Sequence, residues 1–124
     1  MTFESDPTVV QVEVTVVPDP KDKNKVIINC NPNPAYVTVP NSMLAFNLRT
    51  PGYHFRGTGA VELDQEYADF PYPSWTMNAT TAGLFDLCNQ ADTFDYTIYV
   101  RRDKDDHEFS VDPEIRNGDS QCGP

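Results

Sequence analysis

The chain is short of basic residues, and this shortage limits the partners that it can bind. It has 9 Lys and Arg residues against 19 Asp and Glu residues, so its formal net charge is −10. Proteins bind nucleic acids by neutralising phosphates with Lys and Arg, whereas a surface this acidic repels phosphates. Anionic membranes are disfavoured for the same reason. We therefore predict no nucleic-acid partner and no membrane partner.

Long hydrophobic runs, leader features and cysteines are also scarce. No stretch approaches the ~20 apolar residues of a transmembrane helix, and the N-terminus MTFESDP lacks the basic and apolar regions of a signal peptide. The three cysteines, Cys30, Cys88 and Cys122, form no C-x-x-C pair. An odd, sparse set of this kind predicts reduced thiols and a cytoplasmic protein. We expect Cys30 and Cys88 to be buried, and Cys122 to be reactive.

Patterns that carry catalysis or bind metals are missing as well. A blue-copper site needs two His, one Cys and a weak axial Met, but no Met follows Cys88, and His54 and His107 are the two histidines of the chain. The sequence has no G-x-S-x-G motif, and no pair of carboxylates lies in an apolar context that would raise a pKa. We predict that the protein is not an enzyme and has no cofactor.

The acidic segment 103–108 leaves two interpretations open. Its alternating carboxylates could meet a Ca²⁺ ion, which takes six to eight oxygen ligands, although the Gly and the distal Glu of an EF-hand loop are absent. It also fits a solvated hairpin tip whose charges prevent edge pairing. A small calcium-binding protein or enzyme that uses this loop is therefore our alternative function.

Alternating apolar and polar residues are what the chain has in abundance. Thr8–Val17 and Phe94–Val100 show the alternation most clearly, and Pro and Gly residues end the shorter apolar runs. These patterns predict an all-β protein, an antiparallel β-sandwich of seven to eight strands. We expect a single domain over residues 1–113 and a frayed tail over 114–124, with at most one turn of helix near Leu84. The predicted core is Val10, Val12, Val14, Phe46, Tyr96, Ile98 and Val100.

One motif favours the immunoglobulin-like form of the sandwich. The run Asp92-x-Phe94-x-Tyr96-x-Ile98 resembles the sixth immunoglobulin strand, in which the Tyr forms a corner. Ile98 occupies the position of the second Cys, so the usual disulfide between the sheets is excluded.

A second resemblance covers most of the chain in overall shape. It is carried by the opening Val10-Gln11-Val12-Glu13-Val14 and the closing Phe109-Ser110-Val111-Asp112-Pro113-Glu114-Ile115. With these segments the chain resembles the DP-EP family, small bacterial proteins of unassigned function. The resemblance implies an immunoglobulin-like β-sandwich and carries no catalytic residue.

The candidate binding residues are Phe70, Tyr72 and Trp75. Pro71 and Pro73 prevent this stretch from donating to a central sheet, so its rings are displayed for a partner or cap one end of the sandwich. We predict a non-catalytic binding or structural module of a bacterial protein assembly, with a protein partner or a second copy of the chain.

Overall fold

The computed structural model describes residues 9–118, and these residues form eleven β-strands and no helix. The strands are β1 (Val9–Asp19), β2 (Asp22–Asn31), β3 (Ala35–Val37), β4 (Ser42–Leu48), β5 (Tyr53–Phe55), β6 (Val61–Leu63), β7 (Trp75–Asn78), β8 (Thr81–Asp86), β9 (Asp92–Arg102), β10 (Glu108–Val111) and β11 (Glu114–Asn117). The all-β prediction is confirmed, although the strand count exceeds the seven or eight expected. With no helix in residues 9–118, this part of the chain offers no helical membrane span.

The strands form two sheets, and both are mixed. The five-stranded sheet has the order β2-β1-β4-β8-β7. The six-stranded sheet has the order β10-β9-β11-β3, and β5 and β6 also pair with β9. Each sheet contains one parallel pair, β1 with β4 and β3 with β11, so the prediction of a purely antiparallel fold is wrong. The sequence could not indicate this, because alternation places side chains on two faces whatever the direction of the neighbouring strand.

One hydrophobic core joins the two sheets. In the five-stranded sheet, Val12 pairs with Phe46 and Val14 pairs with Leu48 across the parallel strands, and all four are buried. The six-stranded sheet supplies Tyr96 from β9, whose ring centroid lies 5.6 Å from that of Phe46. The following predicted core residues are buried: Val12, Val14, Phe46, Tyr96, Ile98 and Val100. Val10 is partly buried and packs against this core.

Strands β7, β8 and β11 were not indicated by the sequence. Strand β8 lies where the sequence predicted a turn of helix. Its alternation of apolar and polar residues is hard to recognise, because Gly83 faces outward and the polar Asp86 faces inward. Strand β11 lies between β9 and β3, with Ile115 fully buried. The predicted domain boundary at residue 113 is therefore wrong, because the fold continues through β11. The sequence did not indicate this strand, since Ile115 is its single apolar residue. Residues 119–124 of the predicted tail lie outside the described residues.

The tyrosine corner suggested by the immunoglobulin-like motif is not formed at Tyr96. Its ring is buried in the core, and its hydroxyl has no hydrogen-bond partner among residues 9–118. Burial raises the pKa of this phenol far above its ordinary value. The side chain therefore contributes to the core mainly through its ring.

Candidate functional site

Phe70 does not lie on the surface, contrary to the prediction for the binding segment. Its side chain is 8% exposed, and its ring meets the ring of Phe94 edge to face at a centroid distance of 4.9 Å. Pro71 removes a backbone donor but does not stop the preceding side chain from turning inward. Phe70 therefore anchors the binding segment to the core.

Tyr72, in contrast, is displayed to solvent. Its side chain is 62% exposed, and its ring contacts the ring of Phe85 on β8 at a centroid distance of 6.0 Å. It lies between Pro71 and Pro73, which have no backbone N–H to donate to a strand ladder. The two prolines and the contact with Phe85 hold an exposed aromatic ring in place.

Trp75 is the second exposed ring, and it lies across the surface of β8. It begins the edge strand β7, pairs with Gly83 and is 40% exposed. A Cβ atom built on Gly83 would come within 2.6 Å of the indole Cζ2 atom, which is too close for a real contact. The absent side chain at Gly83 therefore creates the seat of the indole ring.

An open cleft of ≈610 Å³ adjoins Tyr72. Its wall combines apolar and ring-bearing residues, namely Val61, Tyr67, Phe70, Pro71 and Leu84, with the carboxylates Glu62 and Glu66. Glu62 pairs with Arg56 at 3.4 Å. The cleft extends the surface around Tyr72 and offers apolar contacts together with hydrogen-bond acceptors.

The acidic segment 103–108 is neutralised by the chain itself. Each of its four carboxylates contacts a nitrogen atom of a histidine or an arginine side chain at 2.7 to 3.6 Å. The pairs are Asp103–His54, Asp105–Arg102, Asp106–Arg101 and Glu108–Arg56. Hydrogen bonding to Arg102 holds the pKa of Asp105 well below its usual range. Within residues 9–118, no group of three or more His, Cys, Asp and Glu residues is placed to hold a metal ion. A Ca²⁺ ion would have to displace these ion pairs, which favours the hairpin-tip interpretation.

A buried polar cluster joins β8, β11 and the segment before β7, and the sequence analysis missed it. Asp86 is fully buried, and its Oδ1 atom accepts hydrogen bonds from the Cys88 backbone N–H and from Asn117 Nδ2, both at 2.9 Å. Asn117 Nδ2 also donates to Asp69 Oδ2 at 3.1 Å. In the described part of the chain Asp86 Oδ2 has no hydrogen-bond partner, and burial raises the pKa of Asp86 to about 6. Because its members are buried, the cluster serves to join strands.

The cysteines differ from the prediction of three reduced thiols. Cys88 is disulfide-bonded, so the prediction of a reduced thiol there is wrong. Cys30 is free and partly buried, and burial raises the pKa of its thiol to about 12. Spacing along the chain does not show which sulfur atoms meet in the fold. The prediction for Cys122 lies outside the described residues, and the cytoplasmic location stays a prediction that has lost the support of a reduced Cys88.

Comparison with known proteins leaves these observations to stand on their own. No protein-family model matches the chain, and no curated protein matches it. The resemblance to the DP-EP family stays a prediction.

Proposed function

We propose that the chain is a non-catalytic protein-binding module whose contact surface is centred on Tyr72 and Trp75. The observation that carries this proposal is the exposure of two large aromatic side chains, 62% and 40%, that both lie against β8: the ring of Tyr72 contacts Phe85, and Trp75 pairs with Gly83. Tyr and Trp are enriched at protein interfaces, because each combines a large apolar area with a polar group. A cleft of ≈610 Å³ beside Tyr72 gives a partner further surface to contact.

The rigidity of this surface supports the same proposal. Pro71 and Pro73 restrict the backbone on both sides of Tyr72, and the indole of Trp75 is seated on Gly83. A surface that is ordered before binding loses less conformational entropy when the partner arrives. Ordered, exposed rings are therefore suited to contact a partner.

The proposal also covers the type of β-sandwich and the setting in which the protein works. We infer an immunoglobulin-like β-sandwich of the DP-EP kind, working in a bacterial protein assembly. Two sheets around a common core support the sandwich, while the parallel pairs and the unbonded Tyr96 hydroxyl are departures from the immunoglobulin pattern.

The double variant Tyr72→Ala/Trp75→Ala tests the proposed function. We expect its melting temperature to stay within a few degrees of the wild type, because both rings are largely on the surface. Affinity capture from an extract of the source cells, with each retained protein identified by mass spectrometry, should lose the specific partner. The matched control is Tyr36→Ala, because Tyr36 is 57% exposed on the other sheet. A variant that loses several kcal/mol, as buried aromatics do, or that retains every partner would contradict the proposal.

A further inference from the structure

The five-stranded sheet has an outer face that points away from the core. In β1, β4 and β8 the buried residues alternate with residues on this face, and the register places them side by side. The outer face carries Val9, Gln11, Glu13, Thr15 and Val17 from β1, Met43, Ala45 and Asn47 from β4, Thr81, Gly83 and Phe85 from β8, and Trp75 from β7.

An apolar row crosses this outer face. Val9 pairs with Met43, Met43 pairs with Phe85, and the ring of Phe85 contacts that of Tyr72. Side chains directly opposite one another on neighbouring strands lie about 4.5–5.5 Å apart, so the row is continuous. Trp75 extends it beside Phe85. The row therefore crosses the four strands β1, β4, β8 and β7, and it includes both rings of the proposed contact surface.

The outer face is nearly free of charge, although the chain is strongly acidic. Glu13 is the charged side chain among the outer-face residues given above, and Arg49 forms an ion pair with it. Asn47 Nδ2 also donates to Glu13 Oε2 at 3.3 Å. The part of the face formed by β1, β4, β8 and β7 is thus electrically neutral once Arg49 is counted with Glu13, whereas the whole chain has a net charge of −10.

We propose that a second copy of this chain docks on the outer face, in a symmetric dimer that buries the apolar row. This inference rests on the proposed function, because Tyr72 and Trp75 form part of the same surface. Two acidic copies repel one another over most of their surfaces, and a neutral face is where they can approach closely. A basic partner would instead gain most from the acidic surfaces. A neutral face rich in aromatic residues and Met matches the composition of interface cores.

The distribution of charge over the molecule predicts how salt affects association of the two copies. The outer faces attract one another through apolar contact, while the remaining charges of the two copies repel one another at longer range. Salt screens the repulsion, with a Debye length of about 10 Å at 0.1 M and shorter lengths at higher concentrations. The dimer should therefore become more stable as salt is added. A complex with a basic partner would weaken under the same change.

Sedimentation equilibrium of the full chain tests the proposal. We would measure it over about 10 to 500 µM protein, since transient interfaces often have micromolar dissociation constants, at about 0.05 and 0.5 M NaCl. The wild type should form dimers with a smaller dissociation constant at the higher salt. Tyr72→Lys should raise that constant at least tenfold, because it places a charge in the apolar row. Tyr36→Lys is the matched control: it makes the same change to the net charge at a similarly exposed tyrosine, and it should still dimerise.

Three results would overturn the proposal. The first is a wild type that stays monomeric across the whole range at the higher salt. The second is a dimer that Tyr72→Lys and Tyr36→Lys affect equally, which would place the contact elsewhere. The third is a monomer whose Trp75 fluorescence shifts to the red when residues 1–8 are deleted, which would show that the chain covers its own row. If the wild type is monomeric but Tyr72→Ala/Trp75→Ala still loses an identified partner, the proposed function stands without the second copy.

Discussion

The buried carboxyl group of Asp86 predicts a pH dependence of stability that one substitution should remove. Its pKa is about 6 in the folded chain against an ordinary value of 3.8, because burial disfavours the charged form. Well below pH 4 the group is protonated in both the folded and the unfolded states, so it gives no pH dependence. Between pH 4 and pH 6 the folded state holds the proton more tightly. Stability contributed by Asp86 is therefore lost as the pH rises through this window.

The size of this effect follows from the pKa shift. A shift of one pKa unit corresponds to about 1.36 kcal/mol, so a rise of roughly two units corresponds to about 3 kcal/mol above pH 6. Asp86→Asn cannot ionise, and its amide oxygen can still accept the hydrogen bond from the Cys88 N–H. The stability of this variant relative to the wild type should therefore increase by about 3 kcal/mol from pH 4 to pH 8.

Urea unfolding of both proteins at one-unit pH steps measures the difference directly. The other ionisable groups are present in both proteins, so most of their contribution cancels. Asp95→Asn is the control for the loss of one negative charge, because Asp95 is exposed on β9. Parallel profiles for the wild type and Asp86→Asn would refute the reasoning.

Two further predictions concern the core and the cysteines. Ile98→Ala should lower the free energy of unfolding by about 2–5 kcal/mol, since Ile98 is fully buried. The control Val17→Ala changes a residue that is 44% exposed, and it should lower the free energy of unfolding by only about 0.5 kcal/mol. If urea unfolding showed the same loss for Ile98→Ala and Val17→Ala, the fold would be contradicted. Titration of the unfolded, unreduced chain should find one thiol instead of three. A disulfide at Cys88 uses two of the three cysteines and leaves Cys30 free, so three thiols before reduction would show that there is no disulfide.

Strands with a regular alternation could be predicted from the sequence, while those with a polar inward residue could not. Strand β9 places Phe94, Tyr96, Ile98 and Val100 in the core at every second position, so its pattern identified it. Strand β8 places Asp86 in the core, and its carboxyl group is tolerated because Asn117 and a backbone N–H bond to it. Asn117 lies 31 residues from Asp86 in the sequence, so no local pattern could indicate this partner.

The sequence predicted only part of the candidate site: the exposure of Tyr72 was foreseen, but the contacts of its neighbours were not. Proline spacing correctly indicated that Tyr72 lies outside a strand ladder. It could not show that the neighbouring Phe70 packs on Phe94, since that contact joins residues distant in the chain. The seat of Trp75 on Gly83 was hidden because the sequence pattern did not indicate the hairpin of β7 and β8. The neutral outer face became visible only when the strand register placed its residues together.

Acrylamide quenching of Trp75 fluorescence tests the central claim most directly, because Trp75 is the single tryptophan of the chain. The account predicts that the indole is readily quenched in dilute protein, where its side chain is 40% exposed. It also predicts that quenching falls and the emission shifts to the blue as rising protein concentration or an added partner covers the surface. An indole that is protected from acrylamide at every concentration, in the wild type and in the chain without residues 1–8, would place Trp75 in the core and contradict the account.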